Sequence, residues 1–268
     1  MIDQRIHDEL RDLYNPEGSH LRMAQLQMLD ILKVIDRICR HNKITYWLAC
    51  GTLLGAIRHN GFIPWDDDID IEILRKDRRR FIQACKKELP SNLHLQMHQT
   101  EPNCYHNILK IREDSNDIGE KVILGDSLYD TEYTYKGFFV DVFFVEPTIL
   151  PLLTISNKFL YKILQFRYVK KGNQNICNLL WYLMKLSNDF FRLLGIFFAN
   201  KNILYSGYST GFGSECSYNG TCLFPVNTAL FEGVELFIPS DADAYLKSMF
   251  GDYMKLPDSK QRVSHHTS

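Results

Sequence analysis

The sequence is short of features that would place it in a simple class. Its 31 basic and 32 acidic side chains nearly cancel, which excludes a chain-wide positive field of the kind that holds DNA or RNA by its phosphates. We therefore expect no nucleic acid partner. Residues 1–20 lack the basic end, apolar stretch and small-residue cleavage site of a secretory signal, so we expect a cytoplasmic location.

Cysteine follows no framework pattern. The seven cysteines are scattered and include no C-x-x-C pair, which argues against a disulfide scaffold and against a zinc ribbon. Four residues of metal-ligating type do lie close in sequence: His94, His98, Cys104 and His106. The alternating apolar residues of that segment predict a strand and a turn, so we interpret these four as structural residues rather than zinc ligands.

The chain has ample material for a core, since 45% of its 268 residues are hydrophobic. Apolar residues at helical spacing predict a long helix from Ser19 to about Arg40. A short strand at 44–50 leads to a Gly51-Thr52 turn and a second helix that Gly61 ends. The remaining predicted elements are a helix at 77–89, strands at 93–97, 106–114, 137–147 and 231–239, and a short helix ending at Gly251.

Residues 150–205 differ from the rest in being helical, aromatic and basic, with eight Lys or Arg against the single acid Asp189, a net charge of +7. Charges interrupt every apolar run well before the ~18 residues that a membrane span needs. Two interpretations stay open: a helical pair that covers the sheet, or a platform that lies on an anionic membrane surface. We therefore divide the chain into a core at 1–149, an insert at 150–205 and a C-terminal part at 206–268 that completes the domain.

The stretch "GFIPWDDDIDIEI", residues 61–73, holds four aspartates within five positions. Two carboxylates about 4 Å apart repel by about 4 kcal/mol at the effective dielectric near a protein surface, so the crowding needs a compensating partner. In the predicted strand 68–73, Asp68, Asp70 and Glu72 share one face, while Ile69, Ile71 and Ile73 enter the core on the other. A further acid, Asp141, stands alone in the mostly apolar strand 137–147.

These acids predict a site for a divalent cation. Asp68 and Asp70 on one strand, joined by Asp141 from another, offer the hard oxygen ligands that Mg²⁺ or Mn²⁺ requires. The Gly51-Thr52 turn at a helix start offers N–H groups and a hydroxyl to phosphate. We place Asp66 in a solvated turn after Pro64. Asp67 would replace Asp68 if the strand register shifted by one residue.

The segment "CGTLLGAIRHNGFIPWDDDIDIEI" resembles the signature of the LicD family, which groups bacterial phosphocholine transferases with the fukutin-related proteins. The segments "LKIRED", "GFFVDVFFVEP", "FEGVELFIP" and "FGDYMKLP" follow in the family's order. The similarity covers about residues 20–260 except the helical insert.

The resemblance implies an α/β (α+β) fold, a nucleotidyltransferase-like mixed sheet core flanked by helices, with the metal site at Asp68, Asp70 and Asp141. It also implies transfer of phosphocholine, or a related phospho-alcohol, from a CDP-linked donor to a hydroxyl of a surface glycan precursor, often carried on a lipid. Lipopolysaccharide, teichoic acid and capsule are the candidate acceptors. The alternatives are transfer of a nucleoside monophosphate and a catalytically silent glycan-binding protein of the same fold.

Further residues are assigned roles within this scheme. We expect Asp141 to accept the proton of the sugar hydroxyl. Arg58, Lys110 and Arg112 are candidate phosphate contacts, although Lys110 and Arg112 also suit strand-surface ion pairs with Glu113 or Asp114. If the transferred group is choline, its ammonium needs an aromatic face; the candidates are Trp47, Trp65, Tyr105 and Tyr135.

Overall fold

The computed structural model describes residues 3–115 and 120–264. The helices within these ranges are α1 (Gln4–Tyr14), α2 (His20–His41), α3 (Cys50–His59), α4 (Arg78–Glu88), α5 (Leu150–Leu164), α6 (Gln174–Phe198) and α7 (Ala242–Phe250). The strands are β1 (Tyr46–Leu48), β2 (Asp70–Leu74), β3 (Leu93–Gln96), β4 (Leu109–Glu113), β5 (Lys121–Leu124), β6 (Ser127–Asp130), β7 (Phe139–Val145), β8 (Ile203–Tyr205), β9 (Ser217–Asn219), β10 (Asn227–Phe231) and β11 (Val234–Ile238).

The centre of the fold is a five-stranded sheet in the order β1-β2-β7-β4-β3. The neighbours β2 and β7 run parallel, and the other pairs are antiparallel. This confirms the predicted α/β (α+β) class with a mixed sheet flanked by helices. The register places Asp70 of β2 beside Asp141 of β7, and Lys110 of β4 beside Asp141 on the other side.

The long helix α2 forms much of the core behind the sheet, as its spacing predicts. Its hydroxyl cap Ser19 accepts a hydrogen bond from the Arg22 amide at 3.1 Å. Leu32 and Ile35 are fully buried. Truncating one such side chain to alanine removes about 2–5 kcal/mol of stability.

The predicted strand at 68–73 begins two residues late, at Asp70. The Asp70 amide donates to the side-chain hydroxyl of Thr52 at 2.8 Å instead of to a strand neighbour, so regular pairing starts only there. The alternation itself is confirmed, because Ile69, Ile71 and Ile73 are all fully buried. The preceding helix also starts earlier than predicted, at Cys50, so Gly51 and Thr52 belong to its first turn.

The basic segment forms the two helices α5 and α6, joined through a π-helical turn at Gln165–Val169. They build a second small core around Trp181 and Ile163, which also takes in Tyr105 and the hairpin of β5 and β6. Within the described ranges, no helix is long and apolar enough to cross a membrane.

Candidate active site

A cavity of about 750 Å³ opens where β2 begins. Its wall has an acidic part, a small cationic part and a large apolar part. The acidic part consists of Asp66, Asp68, Asp70, Glu120 and Asp141, and the cationic part of Lys110 and Lys121. Three acids that the sequence singles out therefore meet in one cavity: Asp68, Asp70 and Asp141.

Two backbone bonds fix the central pair of aspartates. The Asp70 amide donates to Thr52 Oγ1 at 2.8 Å, and the Asp141 amide donates to the Ile69 carbonyl at 2.8 Å. Because β2 and β7 are parallel and in register at these residues, the two side chains leave the sheet on the same face. Rigid strands thus set the spacing of the acids.

Asp66 is not in a solvated turn, and that prediction is wrong. Its carboxylate lines the cavity and lies against the first turn of α3, where a Cβ added to Gly51 would come within 2.8 Å of Asp66 Oδ2. Gly51 also lines the cavity, as predicted. The missing side chain at Gly51 is what lets the Asp66 carboxylate approach. The neighbouring Asp67 is buried and lies outside the cavity wall.

Lys110 is bound to Asp141. Its ammonium lies 2.8 Å from Oδ1 and 3.0 Å from Oδ2 of Asp141, and 3.3 Å from Oε1 of Glu120. Only the Oδ2 contact has hydrogen-bond geometry, which leaves Asp141 Oδ1 a buried oxygen without a hydrogen bond among the described residues. The ammonium also lies 3.6 Å from the ring centroid of Phe139. It is therefore held in place as the counter-charge of the acids.

The carboxylates of the cavity repel one another, and a bound cation would relieve that repulsion. Burial raises the pKa of Asp70 well above its usual value, and the charges of Asp68 and Asp141 raise it further. Burial and the charge of Asp68 likewise raise the pKa of Asp66. For Lys110, burial lowers the pKa, but Asp141 and Glu120 outweigh it, so the pKa is raised. The two ammonium groups of the wall, Lys110 and Lys121, do not neutralise its five carboxylates.

The donor set suits a hard divalent cation. Asp68, Asp70 and Asp141 supply carboxylate oxygens, which Mg²⁺ and Mn²⁺ prefer, and Asp141 Oδ1 is free of hydrogen bonds among the described residues. In the same ranges, no three His, Cys, Asp or Glu side chains already stand close enough to coordinate one ion. The metal site therefore remains a prediction that rests on the chemistry of the acids and on their mutual repulsion.

The row of acids on β2 ends before Glu72. This side chain is buried, and its Oε2 accepts hydrogen bonds from Trp47 Nε1 at 2.7 Å, Tyr218 OH at 2.8 Å and Tyr245 OH at 3.1 Å. Burial raises the pKa of Glu72 to about 7, against the opposing effect of those donors. Glu72 thus ties β1, β9 and α7 together beside the cavity.

Three other predicted residues lie behind the cavity wall. Thr52 is buried and anchors the Asp70 amide. Arg58 is buried and donates to the Tyr253 carbonyl at 2.7 Å, and burial lowers its pKa to about 10. Arg112 is fully buried, where it pairs with Glu120 and donates to the Gly137 carbonyl at 2.8 Å. The structure therefore does not bring Arg58 or Arg112 to the phosphate position that the sequence predicts.

Of the predicted aromatic residues, only Trp65 lines the cavity. Trp47 binds Glu72 in the core, and Tyr105 belongs to the second core. Tyr135 stacks on His94 at a separate cavity of about 460 Å³. The apolar wall beside Trp65 comes from residues that local pattern does not mark: Phe143, Phe212, Met249 and Phe250.

The remaining histidines of the "HLQMHQTEPNCYH" segment have structural contacts or line the cavity. His98 stacks on Trp181 with ring centroids 3.8 Å apart, and its Nδ1 lies 3.1 Å from the Cys104 carbonyl. His106 lines the cavity, where burial and then Lys110 lower its pKa to about 4. It is therefore a neutral ring at neutral pH.

Comparison with known proteins agrees with this geometry. Residues 43–156 match the model of the LicD/FKTN/FKRP nucleotidyltransferase domain. This stretch contains the predicted acids Asp68, Asp70 and Asp141. The chain is 29% identical over 273 residues to the lipopolysaccharide cholinephosphotransferase LicD of Haemophilus influenzae, covering 92% of this chain and 96% of the relative.

Shorter matches share a local segment. The human ribitol 5-phosphate transferase FKRP is 53% identical over 34 residues, which is 13% of this chain and 7% of FKRP. An uncharacterized protein of Rickettsia typhi is 45% identical over 58 residues, 22% of this chain and 19% of the relative. Residues 43–156 therefore form a domain of the LicD/FKTN/FKRP type, and the similarity to a cholinephosphotransferase over most of the chain supports a phosphotransferase enzyme.

Proposed function

We propose that the enzyme transfers phosphocholine, or a related phospho-alcohol, from a CDP-linked donor to a hydroxyl of a cell-surface glycan precursor, in a reaction that depends on Mg²⁺ or Mn²⁺. The observation that carries the proposal is the shared cavity of Asp68, Asp70 and Asp141, with an apolar aromatic wall beside it. The name of the Haemophilus influenzae relative favours a lipopolysaccharide acceptor; teichoic acid and capsule are the other candidates.

The acidic wall would hold the cation. Asp68, Asp70 and Asp141 are the residues proposed to bind it, and when bound it would neutralise the diphosphate of the donor. Gly51, in the first turn of α3, lines the same cavity, and an N–H group at a helix start would suit a phosphate oxygen. Thr52 contributes by positioning Asp70. Because Arg58 and Arg112 are committed behind the wall, Lys110 is the remaining predicted phosphate contact.

Asp141 is proposed as the proton acceptor. The acceptor hydroxyl oxygen would attack the phosphorus that carries the alcohol, the bond from that phosphorus to the CMP oxygen would break, and CMP would leave. The hydroxyl proton would pass to the carboxylate of Asp141. Lys110, bound to Oδ2, keeps the carboxylate oriented and charged until the transfer.

The apolar wall suits the alcohol. Trp65 lines the same cavity as the acids and the apolar residues, and an aromatic face attracts a quaternary ammonium by roughly 0.5–2 kcal/mol. This supports choline, while ribitol or glycerol would need hydroxyl partners instead. The aromatic wall is therefore the feature that favours a cationic alcohol.

The test uses CDP-choline labelled in the choline group, a glycan acceptor and Mg²⁺. Release of CMP with label on the glycan supports the proposal. Release of phosphocholine with CMP on the acceptor would instead identify a nucleotidyltransferase. Asp70→Asn should lower the rate at least about a hundredfold, whereas the matched change Asp126→Asn, on an exposed hairpin turn, should not.

Calorimetry distinguishes the proposed transferase from a catalytically silent binding protein of the same fold. Titration of CDP-choline with Mg²⁺ into the wild type, Asp68→Ala and Asp70→Ala proteins reports binding without turnover. We expect both changes and metal removal to weaken binding. Nucleotide binding that is indifferent to all three, together with no turnover, would overturn the transferase proposal.

A further inference from the structure

Helix α6 carries apolar residues on two opposite faces. One face packs into the second core through Cys177, Trp181 and Met184, all buried. The opposite face carries a stripe of six large apolar residues at helical spacing, all exposed: Leu179, Leu183, Leu186, Phe190, Leu193 and Phe197. A helix that is apolar on opposite sides normally has both sides covered.

The apolar side chains of the outer stripe are unusually exposed to solvent. Leu186 is 65% exposed, Leu193 59% and Phe197 79%. Single exposed apolar side chains are ordinary, but a continuous stripe along a helix of 25 residues marks an interaction surface. At 1.5 Å per residue this helix is about 37 Å long.

The exposed charges just beyond the two ends of the helix are basic. Within the helix, Lys185 and Arg192 pair with the single acid of the segment, Asp189, at 2.8 Å and 2.9 Å, and Arg192 also binds Glu146 at 2.9 Å. Exposed lysines stand near both ends of the helix: Lys170 and Lys171 before its start and Lys201 after its end. The outer face of the helix is therefore apolar along its length, and exposed lysines lie just beyond each end of the helix.

The combination of an apolar stripe and basic ends favours one kind of binding partner over another. If two copies paired through the stripe, the lysines at the helix ends would face each other in either orientation, and like charges repel. A bilayer surface with anionic lipids satisfies both features, because acyl chains take the apolar stripe and headgroups take the lysines. No helix of the described residues can cross the membrane, so α6 would lie along it.

We infer that the Leu179–Phe197 face of α6 docks the enzyme on an anionic membrane surface. The neighbouring helix α5 supports the same placement. It exposes Lys158, Tyr161 and Lys162 around a cavity of about 570 Å³, which shares Gly211 with the catalytic cavity. The inference does not depend on the proposed donor or reaction.

The experiment is co-sedimentation of the full chain with vesicles, without substrate. One vesicle set is phosphatidylcholine and the other an equal mixture of phosphatidylcholine and phosphatidylglycerol. We expect binding to the anionic vesicles that weakens with added salt. The double variant Leu186→Gln/Phe190→Gln should lower that binding at least about tenfold. The matched control Leu13→Gln, a leucine of α1 that is 69% exposed, should leave it unchanged.

Two further measurements keep the outcome decisive. Lys170→Glu/Lys171→Glu should reduce the preference for anionic over neutral vesicles. Unchanged melting temperatures for these surface variants would show that the fold is intact. Failure of the wild type to sediment with anionic vesicles would overturn the inference. So would a dimer mass for the wild type that becomes monomeric in Leu186→Gln/Phe190→Gln, because the stripe would then bind a second copy.

Discussion

The ammonium of Lys110 lies 2.8 Å from Oδ1 of Asp141, its neighbour across β4 and β7. Of the cations that the sequence proposes for phosphate, Lys110 lines the cavity, and it is already bound to an acid. Its charge therefore acts in two ways: it orients Asp141 and it offsets the repulsion that a metal ion would otherwise offset alone.

Removing this ammonium separates the two effects. In Lys110→Met, the cavity becomes more negative, so we expect the Mg²⁺ concentration for half-maximal activity to fall by about tenfold. We also expect kcat to fall about a hundredfold, since Asp141 loses its orienting partner. CMP release measured against Mg²⁺ concentration reports both.

Lys110→Arg retains the charge and should restore the Mg²⁺ dependence more than the rate, because the planar guanidinium cannot repeat the ammonium contact. Lys76→Met, at an exposed site, is the control for loss of one positive charge. If Lys110→Met changed kcat and the Mg²⁺ dependence no more than Lys76→Met does, the assignment of Lys110 would be wrong.

We expect any side chain added at Gly51 to lower activity. In Gly51→Ala, the added Cβ would lie 2.8 Å from Asp66 Oδ2, so the carboxylate must move away. The end of an aspartate can swing, and we expect a change in the free energy of unfolding within about 1 kcal/mol. Activity should fall about tenfold or more, because Asp66 is displaced within the cavity.

The control for this change is Gly195→Ala in α6, where the new Cβ meets other atoms only at 3.8 Å. A helical glycine replaced by alanine should raise stability by about 0.5–1 kcal/mol and leave activity unchanged. Full activity in Gly51→Ala would show that the position of Asp66 is irrelevant to the reaction.

We expect the buried His59 to make the folded protein less stable in acid. The imidazole is buried, its Nε2 accepts from Arg58 Nε at 3.0 Å, and burial followed by the charge of Arg58 lowers its pKa to about 3. The unfolded chain takes up a proton near pH 6.5 while the folded chain does not, so stability is present above pH 6.5 and is lost as the pH falls. Between pH 8 and pH 5 the loss from this group is about 2 kcal/mol.

Urea unfolding at the two pH values measures this loss. In His59→Gln, which keeps an acceptor for Arg58, the difference between the two pH values should shrink by about that amount. The exposed His20→Gln serves as the control. An unchanged difference in His59→Gln would show that other groups govern the acid sensitivity.

The acids could be predicted from the sequence because their signal is local. Alternation of aspartate and isoleucine fixes the face of Asp70, and a single acid within an apolar strand marks Asp141. The contacts of the two arginines could not be predicted, since their partners are not the residues that strand pairing indicates. The Tyr253 carbonyl that binds Arg58 lies 195 positions away, and Glu120 pairs with Arg112 where the sequence suggests Glu113 or Asp114.

The apolar half of the site was missed for the same reason. Phe212 and Phe250 come from a loop and from α7, and neither stands in a periodic pattern that points to the cavity. The position of Asp66 depends on the absence of a Cβ at Gly51, which is visible only when both residues are placed. Local periodicity thus predicted which side chains lie side by side on the sheet. It did not predict which residues from other elements complete the cavity wall.

Thr52 is predicted by the sequence to hold phosphate, whereas the structure gives it a positioning role, and one pair of variants separates these. Its hydroxyl accepts from the Asp70 amide at 2.8 Å in a buried site. Thr52→Val leaves that amide unpaired, which should reduce the free energy of unfolding by about 1–3 kcal/mol. We expect kcat to fall with little change in KM for the donor, because Asp70 shifts but keeps its charge in the cavity.

Thr52→Ser keeps the hydroxyl and should recover most of both stability and kcat. The two kinetic constants come from CMP release over a range of CDP-choline concentrations, and stability comes from urea unfolding. A direct phosphate contact would give the opposite division: KM would rise in Thr52→Val while kcat and stability stayed close to those of the wild type. Because valine matches threonine in shape, the difference between Thr52→Val and the wild type isolates the single hydrogen bond that places Asp70 opposite Asp141.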